Sequence, residues 1–206
     1  MCYPVNDNVT TAHVILASAS PRRRELLAQI GVRAFAQAVD IDESHRSGES
    51  VMAYVQRLAM EKAQRGFETI ENDNNLPVLG SDTIVEIDGR ILGKPEGRLQ
   101  AKEMLQQLSA KKHIVHTSVA IVTREISVSG TSSTEVLFDT IDDSDIERYI
   151  ATGEPDDKAG SYAIQGIAAQ FIRNINGSFS GVMGLPLYET AQLLKQCGVL
   201  PLDSNI

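Results

Sequence analysis

The chain has 206 residues, 42% hydrophobic and 22% charged, which is enough for one sizeable α/β core or two small lobes. A formal net charge of −8 argues against general affinity for nucleic acid or anionic membranes, both of which need broad basic surface; a small anionic ligand would need cations gathered locally. No apolar run reaches membrane-spanning length, the start lacks the basic and apolar regions of a signal peptide, and Cys2 and Cys197 have no metal-ligand spacing, so the expectation is a reduced cytoplasmic protein.

Residues 1–13 are polar and read as a loose extension. Val14 to Ala17 predicts a short buried strand. Ser20 then offers an N-cap oxygen, Pro21 fits the first helical position, and the helix runs to Ile30 and stops at Gly31. Ala34 to Val39 predicts a second strand ending in the acidic turn Asp40-Ile41-Asp42-Glu43. A helix follows from about Ser50, with Val51, Tyr54, Val55, Leu58, Ala59 and Ala63 at helical spacing. After the polar loop 71–75, Val78 to Ile87 is the clearest strand, and Asp88-Gly89 signals a hairpin into Arg90 to Pro95.

A third helix, Leu99 to Leu108, is amphipathic through Leu99, Met104, Leu105 and Leu108. Two β-branched strands, His113 to Arg124 and Thr134 to Thr140, are expected to join across Gly130. Asp143 to Ala151 predicts a short helix capped by Asp143 or Ser144, and a turn-rich loop covers Gly153 to Gly160. Gln170 to Ile175 reads as a strand, Asn176-Gly177 as a turn, and Leu187 to Cys197 as a closing helix. Strands and helices alternate in the first half, so the predicted class is a mixed α/β sheet.

Several residues break the apolar pattern. Arg22, Arg23 and Arg24 are the densest cluster of cations in the chain, and they occupy the first turn of a helix, where the dipole favours acidic groups. An anion explains this: helix N–H groups and guanidinium forks make a phosphate cradle. The alternative is a solvated basic turn. Asp82 lies within an apolar strand, where a carboxylate is expensive unless paired, metal-bound or at an exposed end. It reads equally as a metal ligand or general base and as a strand-terminal group held by backbone amides. Lys62 falls on or beside the buried stripe of its helix and either snorkels to solvent or reaches a phosphate. Lys94 is framed as Gly93-Lys94-Pro95, a rigid turn. Glu43 is either solvated or shares a magnesium site with Asp82, since Mg²⁺ takes oxygen ligands. The usual phosphate-loop, dinucleotide, zinc-protease and serine-hydrolase motifs are absent, and His13, His45, His113 and His116 form no cluster in sequence; His113 and His116 read as structural.

In this order the pieces resemble the Maf family of nucleoside triphosphate pyrophosphatases, also described as septum-formation inhibitors. The resemblance runs from Ile15 to about Gly198. It rests on Leu16-Ala17-Ser18-x-Ser20-Pro21-Arg22-Arg23, Asp42-Glu43, Ala59-x-Glu61-Lys62-Ala63 and Gly80-Ser81-Asp82-Thr83. Gly93-Lys94-Pro95, the stretch from Asp157-Lys158-Ala159-Gly160 to Gln165-Gly166, and Gly184-Leu185-Pro186-Leu187 complete it.

The resemblance implies metal-dependent hydrolysis of a nucleoside triphosphate between its α- and β-phosphates, with Mg²⁺ or Mn²⁺. It implies Asp82, Lys62 and Lys94 as catalytic residues, Glu43 and Asp82 as metal ligands, and Ser18, Ser20, Arg22, Arg23, Thr83 and Gln165 as substrate-binding. The implied fold, over residues 14–206, is one elongated domain of two lobes on a mixed sheet, with the nucleotide in a cleft and a homodimer as the assembly. Arg22, Thr83 and Gln165 are similar to the branch that takes dTTP and UTP; a branch acting on 7-methylguanosine triphosphate has an aromatic, Gln and Glu there. A Gln amide offers both donor and acceptor to a uracil or thymine edge. Ala110, Ser118, Ala168 and Ala169 stand where glycines are common in the family. Other readings are a nucleotide-binding regulator of septum formation that acts through a partner without turnover, and a purine-type pyrophosphatase of the inosine class.

Overall fold

The computed structural model describes residues 12–70 and 75–200. Cys2, most of the expected extension and residues 71–74 of the polar loop lie outside the described residues. The strands are β1 (Val14–Leu16), β2 (Ala34–Ala36), β3 (Val78–Ile87), β4 (Arg90–Leu92), β5 (Lys112–Val122), β6 (Ser127–Phe138) and β7 (Ile172–Asn176). The α-helices are α1 (Pro21–Gln29), α2 (Val51–Thr69), α3 (Arg98–Leu108), α4 (Asp143–Ala151), α5 (Phe179–Met183) and α6 (Leu187–Gln196). The result is a mixed α/β fold on a seven-stranded sheet, ordered β2-β1-β3-β5-β6-β7, with β4 paired to β3. The β1–β2 and β1–β3 pairings are parallel; β3–β4 and β6–β7 are antiparallel.

The chain divides into two compact units. The first comprises residues 1–82, 117–131 and 184–206, the second 83–116 and 132–183.

In the first unit β1 is fully buried, as suits a central parallel strand made of aliphatic residues. Ile15, Ala17, Ile70 and Val78 form a cluster with Phe35 and Phe67 against it, and Ala59 and Ala63 of α2 pack on Ala120 and Val122 of β5. Two glycines let α2 come close. A Cβ on Gly66 would stand 2.9 Å from both Ala17 Cβ and Val78 Cγ1, and one on Gly80 would collide with the Ala59 carbonyl and the Ala63 amide. Only glycine lets β3 lie this close under α2.

The second unit has a core of its own. Met104, Leu105 and Leu108 of α3 and Ile146, Tyr149 and Ile150 of α4 pack against Val85, Val115, Val136 and Phe138 of the sheet. His113, 2% exposed, sits edge-on to Phe138 and Tyr162 and bonds the Tyr162 hydroxyl through Nε2 at 2.8 Å. His116 bonds Ser133 and Glu86. Both histidines are structural.

Boundaries differ from expectation at a few places. β2 ends at Ala36, three residues early; the Gln37 amide makes a last bond to the Leu16 carbonyl at 2.9 Å before the chain turns away. Gly130 lies inside β6: the strand begins at Ser127, and the reversal is made at 123–126, where Thr123 and Ile126 exchange hydrogen bonds. Leu99 is 74% exposed, so the buried stripe of α3 starts at Ala101. The N-cap of α4 is Asp142, one residue before Asp143 and two before Ser144, the expected caps. β7 starts at Ile172, since a 3-10 turn takes up Ile167–Phe171. Among the described residues no helix is long and apolar enough to cross a membrane.

Candidate active site

Ser20 caps α1, accepting from the Arg23 amide at a long 3.5 Å. The first turn is not a solvated basic patch. The Arg23 side chain folds back, donating from Nε to the Gly184 carbonyl at 2.8 Å and from Nη1 to Ser18 Oγ at 3.2 Å. Ser18, 9% exposed, also accepts from the Ser20 amide. Burial pulls the Arg23 pKa down and Asp82 and Glu43 oppose that, so the guanidinium stands within the field of both carboxylates, with Arg22 adding repulsion. Arg22 is half-buried beside it.

Asp82 ends the first unit's stretch of β3 and is 7% exposed. Its partner is Lys62, whose Nζ stands 2.7 Å from Asp82 Oδ1 and 2.7 Å from Glu43 Oε1. Lys62 therefore neither snorkels nor stands alone. Helical spacing puts it one turn past Leu58, and the glycine contact at Gly80 brings β3 under that turn. Four expected groups (Arg23, Glu43, Lys62 and Asp82) thus share one locus with Ser18 and Ser20.

Two carboxylate oxygens, from Glu43 and Asp82, converge on the single point now taken by the Lys62 ammonium. Hard cations bound with substrate phosphates need one or two carboxylates and keep waters, so this pair fits Mg²⁺ or Mn²⁺. Among the described residues no group of three or more His, Cys, Asp and Glu could hold a metal on its own.

Sequence reasoning missed what holds Glu43. Tyr54, read as part of an apolar stripe, donates its hydroxyl to the Glu43 carbonyl at 2.6 Å. Arg57 grips Glu49 with Nε and Nη2 at 2.6 and 2.9 Å, reaches Glu61 at 3.1 Å and donates to the Ser44 carbonyl at 2.9 Å. That pairing draws the Glu49 pKa down to about 2. An arginine four residues before Glu61 on the helix of Lys62, with a further glutamate at 49, was the available signal. Ser81 was missed too; its hydroxyl donates to the Ser118 and Gly184 carbonyls, the latter shared with Arg23.

The remaining expected residues belong to the second unit. Thr83 is half-buried at its start. Lys94 is exposed in the turn after β4, where the Gly93 carbonyl accepts from the Gly160 amide at 3.0 Å. Gly160 itself is left-handed (φ 67°) and lies against Val85. Gln165 is exposed in the loop that precedes the 3-10 turn.

A family model described as Maf-like protein matches residues 13–197. The dTTP/UTP pyrophosphatase of Aliivibrio fischeri is 51% identical over 187 residues, covering 90% of this chain and 98% of the relative. That of Pseudoalteromonas atlantica is 51% identical over 184 residues (89% and 96%), and that of Shewanella oneidensis 48% identical over 193 residues (91% and 100%).

Proposed function

The chain belongs to the Maf family, and on that premise we propose that it is a hydrolase of the phosphoanhydride bond, a nucleoside triphosphate pyrophosphatase acting on dTTP and UTP. The products are the nucleoside monophosphate and pyrophosphate. The observation that carries the reading is the buried Asp82 carboxylate paired with Lys62, which also holds Glu43, beside the arginine turn, in a chain half identical to enzymes of that name.

In this reading Asp82 accepts the proton of the attacking water, and Lys62, held against it, meets phosphate charge when substrate arrives. Arg23 and Lys94 take further phosphate charge, and the Ser18 and Ser20 hydroxyls bond phosphate oxygens. Gln165, with Arg22 and Thr83, reads the pyrimidine edge. Glu43 and Asp82 would hold Mg²⁺ or Mn²⁺. Bound there, a divalent cation neutralises phosphate charge and polarises the phosphoryl group. A regulator without turnover is not favoured, because it has no use for a buried carboxylate set against a lysine. The reading further includes one domain over residues 14–206, a cytoplasmic location, a homodimer, and removal of surplus or modified pyrimidine triphosphates with an effect on cell division.

The test is a panel of nucleoside triphosphates with Mg²⁺ or Mn²⁺, in which pyrophosphate and orthophosphate are quantified separately. Equal amounts of monophosphate and pyrophosphate are expected, fastest from dTTP and UTP. Orthophosphate as the direct product would overturn the bond assigned. Faster hydrolysis of inosine or 7-methylguanosine triphosphate would overturn the base.

A further inference from the structure

The loop that carries Gln165 is tied down on both flanks by two residues that no step above uses. Tyr149, on the buried face of α4, is 2% exposed. Its hydroxyl accepts from the Ala163 amide at 3.3 Å and donates to Glu154 Oε1 at 2.9 Å. Glu154 accepts in turn from the Ile167 amide at 2.9 Å through Oε2 and from the Ala168 amide at 3.2 Å through Oε1. Between these anchors the Gly166 amide closes onto the Ala163 carbonyl at 3.0 Å. A Cβ on Gly166 would run into the Glu154 carboxylate, so the backbone lies directly on that group.

Four backbone amides within residues 163–168 are thus committed, and Gln165 is the exposed polar side chain at the crest. Burial, reinforced by Glu154, pushes the Tyr149 phenol up, so it remains a donor at any working pH. Edge-on contact with the Phe171 ring at 5.6 Å fixes its direction. A loop ordered before substrate arrives spares the cost of ordering it on binding, and that saving is largest for a contact whose geometry must match one base edge.

We propose that Glu154 and Tyr149 are positioning residues for nucleobase discrimination, holding the Gln165 amide in the orientation that pairs with a pyrimidine; this rests on the reading of Gln165 as the base contact. Glu154→Gln replaces an acceptor oxygen with an NH₂ and sets donor against donor at one strap. Tyr149→Phe keeps the ring and removes the hydroxyl.

The experiment measures kcat and KM for dTTP, UTP and inosine triphosphate in the wild type, both single variants, Gln165→Ala, and each strap variant combined with Gln165→Ala. Each strap variant should raise KM for dTTP and UTP about tenfold, with kcat and the inosine KM within about twofold, as expected for one lost orienting hydrogen bond. In the Gln165→Ala background the same substitutions should leave the base ratio unchanged, because they act through that side chain. Equal further losses in that background, or intact discrimination in the strap variants, would overturn the proposal. Should Glu154→Gln fail to fold, the Tyr149→Phe pair carries the same comparison. If Gln165→Ala itself keeps full discrimination, the base-contact reading falls, an outcome distinct from failure of the straps alone.

Discussion

Asp82 shows how one residue can be half legible. A carboxylate in an apolar strand announces that it has a partner, but not which one. Lys62 is 20 positions away in sequence and Arg23's anchor, the Gly184 carbonyl, is 161, and neither separation has a local signature. Asp82→Asn should lower kcat by on the order of 10²-fold or more while the protein keeps its fold. Near wild-type kcat at an unchanged Tm would make Asp82 structural. His113 gives a second test, on stability. Burial holds its pKa down at about 4 from the ordinary 6.5. Between those values the unfolded chain binds the proton and the folded chain does not. Stability is therefore lost as pH falls from 6.5 towards 4, by about 3 kcal/mol in total. Below 4 this contribution stops changing. His113→Gln, which cannot titrate, should flatten that part of a denaturant-derived stability profile; parallel curves for the two proteins would refute the assignment.

At the scale of elements, periodicity together with cap and turn signals located every strand and all α-helices but α5 among the described residues; the five residues of α5 are too few to show a period. Errors gathered where tertiary pairing outweighs local preference. Gly130 looked like a turn and is a strand residue, where a Cβ would make ordinary contact with Glu189 and Leu193, so the glycine marks no turn. Ala110 is left-handed (φ 57°), which gives a physical reason for the glycine common at that position in the family. The segment from Glu43 to Glu49 has no regular structure and depends on α2 for its shape, through Tyr54 and Arg57. Arg57 and Glu49 are only 12% and 9% exposed, so their pairing is not an ordinary surface ion pair. Arg57→Ala should lower Tm, by leaving the Ser44 carbonyl without this donor and Glu49 with the Arg46 amide in place of a bidentate guanidinium. It should also raise the Mg²⁺ concentration needed for half-maximal activity several-fold, read from a metal titration. A lowered Tm with an unchanged metal requirement would confine Arg57 to stability.

The whole molecule carries a net charge of −8, yet its proposed ligand is a polyanion. Binding must come from cations drawn to one place against a repelling background. Affinity for triphosphate should therefore fall as salt is raised, since screening acts first on charges that are not in contact. Arg23→Lys should weaken binding at every salt concentration, because an ammonium cannot serve Gly184, Ser18 and phosphate at once with a planar fork. Salt-independent KM in the wild type would mean that contact hydrogen bonds alone set affinity.

The division into units falls between Asp82 and Thr83, His116 and Thr117, Thr131 and Ser132, and Met183 and Gly184. Three of those four crossings lie inside β3, β5 and β6. A cloner seeking a minimal fragment would find no pair of cuts that frees either unit as one uninterrupted piece, and most cuts would sever a strand. Shuffling one half between relatives would demand splicing within strands, where a one-residue slip turns every side chain to the wrong face. Substrate range in such a chain is open to point substitution and closed to module exchange.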